Sequence, residues 1–380
     1  MNRRVIGGKQ QLLGLLCAVS LPLIFLTVHY NSRKTDFGDA SVMGAATTSL
    51  FAVRGAFPIH CEPGEGLDLA VQGVRVRGLS NKAVWLGNSQ LHAVNQFRSG
   101  ERNAPDLLSE RLANRSIDLI TVSLGNANFQ EHLILFHYLL DHIQPDVMIL
   151  PVVFDDTRED GLRNSVVNLS RSERIVRSLE QNDIGRKLLK TSSASAPVPS
   201  DEATPRERSE AQLNSWLDEQ VPLWRARPEM RGDLFISLYK FRNIVFGITP
   251  SSKRKIISGR YSNNMAAYEA ILSTAASSGI RMLVYIAPIG SDRGERPYVD
   301  SEYRRFKEEI ALLARKYSAD LENFEDLIPE TLWGLKDSTT VGGGKELDFM
   351  HFTAAGHRVL AEQIESKFFT EPFRAREQRR

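Results

Sequence analysis

Residues 117–154 read IDLITVSLGNANFQEHLILFHYLLDHIQPDVMILPVVF. The opening run, Ile117–Leu124, is apolar and rich in β-branched residues and stops at Gly125. The closing run, Asp146–Phe154, has the same character and stops at Asp155 and Asp156. Between them Phe129–Ile143 carries apolar residues at helical spacing. A strand, a helix and a strand in that order run parallel in one sheet, because the helix returns the chain to the edge it left. Strands that are apolar at nearly every position are what burial on both faces demands.

Outward from this unit the alternation continues. Lys82–Leu86 (KAVWL) ends at Gly87, Arg281–Ala287 (RMLVYIA) ends at Pro288, and Ala319–Phe324 (ADLENF) is a weaker fifth strand. Helical patterns cover Met265–Ser278, Ser301–Tyr317 and Thr353–Phe368. The fold class is therefore α/β, a three-layer α/β/α domain on a mainly parallel five-stranded sheet. The rhythm breaks at about residues 157–263, which read as a helical insertion. Within it Arg171–Lys190 and Gln212–Phe246 look helical, while Thr191–Glu210 (TSSASAPVPSDEATPRERSE) offers almost nothing to bury and reads as a mobile loop. Asp233–Phe246 is apolar but carries Lys240, Arg242 and Asn243, which favours a surface-packed helix over a membrane span.

The amino terminus has its own character. Leu12–Val28 (LLGLLCAVSLPLIFLTV) is uncharged and apolar, and Arg3, Arg4 and Lys9 precede it. Such a run is at the short end of the roughly 17–25 residues a spanning helix needs, and its basic flank keeps the amino terminus cytoplasmic. A cleaved signal peptide is the alternative, but His29-Tyr30-Asn31-Ser32-Arg33-Lys34 lacks a small-residue cleavage site. The organisation expected is a cytoplasmic end (1–11), a transmembrane anchor (12–28), a stalk and domain edge (29–80), an extracytoplasmic α/β domain (81–370) and a basic tail (371–380). Cys17 falls in the anchor, leaving Cys61 alone outside it, so no disulfide joins two exported cysteines. With 48 basic against 46 acidic residues in 380, a net charge of +2 provides no field for nucleic acid. Two cysteines exclude a disulfide framework or a cysteine-rich zinc site.

Two motifs could carry chemistry. Gly87-Asn88-Ser89-Gln90 follows the first strand and places a hydroxyl at the sheet's carboxyl edge, where open α/β folds bind ligands; taken alone it reads more readily as a helix cap than as a catalytic motif. Asp348-Phe349-Met350-His351 precedes the final helix, with Gly356-His357 following. A serine becomes nucleophilic when a histidine takes its proton and a third group fixes that histidine's tautomer. In this order and at these two ends of the domain, the pair resembles the SGNH (GDSL-type) esterase and acyltransferase superfamily, over roughly Lys82 to Phe368.

The resemblance implies Ser89 as nucleophile, His351 as general base and Asp348 as its orienter. It also implies an oxyanion hole from the backbone N–H of Ser89, from Gly125 and from an asparagine after the third strand. That last position departs from the family, reading Phe154-Asp155-Asp156-Thr157, and an ionised aspartate would repel an oxyanion. Asn126, Asn128 or Thr157 are the alternative donors, and Asn88, Gln90, His92, Asn128 and Asp155 the expected pocket. The expected activity is esterase or O-acyltransferase, through an acyl–Ser89 intermediate. With the anchor, the resemblance implies a cell-surface glycan substrate and a membrane-bound O-acyltransferase as partner. The other class is a non-catalytic scaffold or polymer-binding module that keeps the fold, suggested by the altered third motif.

The remaining candidates read as structural. His132, His137 and His142 recur every fifth residue and point to different faces of a helix, so no metal is implied, and nothing else calls for a cofactor. His92 reads as an exposed surface histidine if it does not line the pocket, and His357 as structural. Gly342-Gly343-Gly344 reads as a hinge for the Asp348/His351 loop, and Arg374–Arg380 as a solvated end.

Overall fold

The computed structural model describes residues 47–194, 253–292, 294–336 and 345–369. The 12–28 run, most of the inserted segment, the triple-glycine stretch and the basic tail lie outside them. Among the described residues no helix is long and apolar enough to cross a membrane.

The strands in chain order are β1 (Thr47–Ser49), β2 (Val53–Arg54), β3 (Phe57–Pro58), β4 (His60–Cys61), β5 (Asn81–Asn88), β6 (Ala93–Asn95), β7 (Ile117–Leu124), β8 (Val147–Val152), β9 (Arg281–Ile286), β10 (Asp320–Asn323), β11 (Trp333–Lys336) and β12 (Glu346–Phe352). The helices used below are α1 (Glu65–Arg77), α2 (Ser89–His92), α3 (Ala104–Ala113), α4 (Phe129–His142), α5 (Ser258–Ser277), α6 (Asp300–Lys316) and α7 (Ala354–Phe368).

A six-stranded sheet in the order β10-β9-β8-β5-β7-β4 forms the middle layer, with every neighbouring pair parallel. The sequence pattern foresees five of these strands. The sixth, β4, comes from the stretch read as stalk and domain edge, where two residues are too few to show a period. Alternation along β5 divides the core in two. Val84 and Leu86 face a cluster with α1, α4, α5 and α6, while Ala83 and Trp85 face a second cluster with α3 and α7. Burial on both faces is why β5, β7 and β8 are apolar throughout.

The chain leaves β5 for β7 on one side and returns to β8 on the other, so the winding direction reverses at β5. The crevice at the carboxyl end of such a reversal is where ligands bind in open α/β sheets. Helix α5 starts at Ser258, well before the Met265 expected from the apolar period. Its first turns are polar because buried Asn264 donates to the carbonyls of Thr157 and Glu159, tying the helix to the chain beyond β8.

Asp348 and His351 do not lie on a free loop. They belong to β12, which pairs antiparallel with β11 outside the main sheet. Trp333 pairs with Phe352 but Leu335 with Leu347, so the register slips across residues 348–351. In a regular strand, residues three apart point to opposite faces. The bulge lets Asp348 and His351 meet.

Candidate active site

Ser89 opens α2 directly after β5, the strand at which the winding reverses. The Asn88 side chain caps this short turn by accepting from the Gln90 N–H at 3.0 Å. His351 Nε2 lies 2.9 Å from Ser89 Oγ, and His351 Nδ1 lies 2.9 Å from Asp348 Oδ2. The other carboxylate oxygen, Oδ1, accepts from the backbone N–H of Met350 at 3.0 Å and of His351 at 3.1 Å. Burial would raise the Asp348 carboxyl, but the hydrogen bond and charge of His351 and these two N–H groups together hold it below its ordinary value. An ionised Asp348 accepts the Nδ1–H, which leaves Nε2 free to accept from Ser89. All three residues are buried.

Register places Gly125 beside this serine, because Asn88 on β5 pairs with Leu124 on β7 and each chain then steps on by one residue. The Arg163 guanidinium donates to the carbonyls of both Gly125 and Asn126 and pairs with the buried Glu131 carboxylate, so the turn after β7 is held from outside. Asn126 adopts a left-handed φ of 50° there and its side chain is exposed. A Cβ built on Gly125 would meet no atom within 4 Å, so packing does not demand glycine at this position. Gly125→Ala is therefore expected to keep the melting temperature within a few degrees of wild type. Paired thermal melts check this.

The aspartates after β8 pose no bare charge to the serine. Asp155 is matched by Arg254 and by Arg158 at 3.2 Å, and accepts from the buried Tyr298 hydroxyl at 3.1 Å. Burial pushes the Asp156 carboxyl well up, against a hydrogen bond from Asn88 and with the nearby Asp155, Glu159 and Glu131 adding to the rise. Asn88 Nδ2 donates to both its oxygens, at 3.1 and 3.2 Å. Neither aspartate donates toward Ser89, and the Thr157 hydroxyl donates to the Phe154 carbonyl at 2.6 Å.

Several residues expected to line a pocket have other partners. Asn128 caps α4 through Oδ1 and donates one Nδ2 hydrogen to the Gly161 carbonyl. Gln90 Nε2 donates to the carbonyls of Pro288 and Met350, stapling α2 to β12 and to the chain after β9. Asn88 and Asp155 are engaged as described.

His92, read as exposed or pocket-lining, is 1 % exposed. It belongs to a buried chain behind the site that the sequence does not announce. Asn103 Nδ2 donates to His60 Nδ1 at 3.2 Å, which makes His60 Nε2 the donor to Ser123 Oγ at 2.8 Å and Ser123 the donor to His92 Nδ1 at 2.8 Å. His357 is also internal: Ala104 N–H donates to its Nδ1, and its Nε2–H donates to the Ala93 carbonyl at 3.1 Å.

A parallel α/β/α sheet thus carries a serine after its reversal strand and a glycine beside it, with Asp-x-x-His ahead of the last helix meeting that serine. This is the fold and site arrangement that the resemblance to the SGNH superfamily implies. Solved structures similar to this chain include a psychrotrophic esterase from Pseudoalteromonas sp. (9% identity, 76% of this chain and 97% of that one, TM-score 0.36). A carbohydrate acetylesterase from Sinorhizobium meliloti (10%, 76% and 98%, 0.36) and a GDSL-like lipase from Bacteroides thetaiotaomicron (8%, 78% and 95%, 0.32) are others. No family model and no curated protein sequence matches the chain.

Proposed function

We propose that this protein is a serine-dependent carboxylic ester hydrolase or O-acyltransferase working through an acyl–Ser89 intermediate. The observation that carries the reading is the continuous relay from Asp348 Oδ2 through His351 to Ser89 Oγ, with both links 2.9 Å long. Ser89 Oγ attacks the ester carbonyl carbon as His351 Nε2 takes its proton. The oxyanion that forms faces the N–H groups of Ser89 and Gly125. Collapse expels the alcohol, which leaves with the proton held by His351, and the acyl group stays on Ser89. A second hydroxyl, from water or a sugar, then attacks while His351 takes its proton, and Ser89 is restored.

The finer reading joins this chemistry to the apolar run at 12–28. A run of that kind would hold the domain beside a membrane on the extracytoplasmic side. Ester groups on a cell-surface glycan would be the substrate, and a membrane-bound O-acyltransferase the partner. The alternative, a scaffold that keeps the fold without turnover, draws on the absence of a donor from Asp155, Asp156 and Thr157.

A fluorophosphonate probe separates the two readings. Labelling of wild type that is lost in Ser89→Ala and His351→Ala is the expected result, and a folded wild type that takes up no label would sink the enzyme reading. Acyl-enzyme offered both water and an oligosaccharide then reports hydrolysis against transfer. Release of free acid alone would remove the transferase half.

A further inference from the structure

The segment from Ser89 to Asn95 meets the segment from Asp348 to His351 at three places. Ser89 Oγ faces His351 Nε2 at 2.9 Å, Gln90 Nε2 donates to the Met350 carbonyl at 3.0 Å, and Asn95 Nδ2 donates to Asp348 Oδ2 at 3.2 Å. One short stretch of backbone therefore holds both ends of the relay. Ser89, His351, Asp348 and Asn95 close a ring through the chain that joins Asn95 back to Ser89. We infer that Asn95 is a positioning residue for the triad, acting through Asp348, which rests on the acyl–Ser89 reading above.

Asn95 is fully buried at the end of β6, in register with Thr47 on β1. Its amide has one workable orientation. Nδ2 donates to the Leu335 carbonyl at 3.1 Å as well as to Asp348, and a flipped amide would set Oδ1 against two acceptors. Both amide hydrogens are thus committed, while Oδ1 finds no partner among the described residues. A residue that leaves its own oxygen unpaired to deliver two N–H groups is not held there by its own packing alone. Gly334 on β11 makes the approach possible, since a Cβ there would stand 1.9 Å from Asn95 Cγ.

The Asp348 carboxylate consequently receives four hydrogen bonds. Oδ1 takes those of Met350 and His351 N–H, and Oδ2 takes those of His351 Nδ1 and Asn95 Nδ2. Removing Asn95 leaves Oδ2 held by the imidazole alone, so the group that should orient the imidazole is oriented by it. The carboxylate also loses a donor that tempers its charge, and its field then favours the imidazolium more strongly.

The test is the rate at which a fluorophosphonate labels Ser89 in the full-length chain, followed from acid to alkaline pH. Asn95→Leu keeps the volume without the donor. It is expected to slow labelling about tenfold, the order of one hydrogen bond to a charged group, and to move the acid limb of the profile to higher pH. In an Asp348→Asn background the same substitution should change the rate by less than about twofold, because residues acting through one partner are not additive. A purely structural role would leave the acid limb in place and make the two effects multiply. Either that result, or wild-type labelling by a folded Asn95→Leu, overturns the inference. If Asn95→Leu does not fold, the isosteric Asn95→Asp decides: it offers a carboxylate where a donor is needed, and wild-type rate and profile there would overturn it equally. An unlabelled wild type overturns the acyl–Ser89 reading itself, and this inference with it.

Discussion

Replacing Ser89 by alanine is expected to lower kcat/KM for a simple ester such as p-nitrophenyl acetate by about 10⁴-fold or more, with circular dichroism unchanged. The loss is large because the serine forms the bond on which every later step depends. His351→Ala should cost about as much. Without the imidazole Ser89 keeps its proton, and members of one relay fail together. Asp348→Asn should cost roughly 10³–10⁴-fold, since the amide can present its N–H to Nδ1 and so force the wrong tautomer on His351. The double variant Ser89→Ala/His351→Ala should be no worse than either single one. Turnover by Ser89→Ala above about a tenth of wild type would place the nucleophile elsewhere.

Mild acid is expected to destabilise this domain through its buried histidines. Burial pushes the imidazoles of His92 and His137 down to about 4 and those of His132 and His357 down to about 3, while His60 lies well below its ordinary value. Neighbouring positive charge adds to burial for most of them: His92 and His357 act on His60, His351 on His92, and Arg163 on His132. These groups are neutral when folded but bind protons below about 6.5 when unfolded. Their contribution is therefore complete above about pH 6.5 and is lost as pH falls toward 4, at roughly 1 kcal/mol per pH unit for each.

Asp118, Glu131 and Asp156 act in the opposite sense. Burial raises their folded values, so they gain stability over part of the same interval. The histidines outnumber them, so the net effect is a loss of stability as pH falls through this interval. Protonation would also break the chain behind the site, because a charged His60 would turn Nδ1 into a donor facing the Asn103 amide. Urea midpoints measured from pH 7 to pH 4.5 should fall steadily, and a flat profile would contradict the assignment. His132 offers a sharper check. It is fully buried and neither ring nitrogen has a partner among the described residues, so His132→Phe is expected to flatten the slope and stabilise the neutral-pH protein by about 1 kcal/mol.

Much of the architecture was open to reading because its physical causes are local. Burial on both faces writes itself into a strand as an unbroken apolar run, so Ile117–Leu124 is both the expected and the observed strand. The amphipathic period likewise marks α4, α6 and α7 to within a residue or two. Ser89, Asp348 and His351 were visible as residue types in a familiar order. Where burial is made by distant chain the local signal vanishes. His92 carries no mark of the Phe51 and His60 rings packed near it, with centroids 5.2 and 6.4 Å away. The start of α5 looks polar because Asn264 is paid in hydrogen bonds from the far side of the insertion. β4 is too short to have a period, and the bulge in β12 depends on its pairing with β11.

The amino-acid order alone thus determined a parallel α/β sheet and the identities of a serine, a histidine and an aspartate able to act together, since periodicity and side-chain chemistry are properties of neighbours in the chain. Folding decided which of their surroundings matter. Only in three dimensions does Asn95 reach Asp348, Arg163 grip the turn after β7, Arg254 neutralise Asp155, and His60 pass its hydrogen bond through Ser123 to His92. Each of these links joins residues far apart in sequence, and a hydrogen bond or ion pair exists only where the fold brings donor and acceptor within about 3 Å at a workable angle.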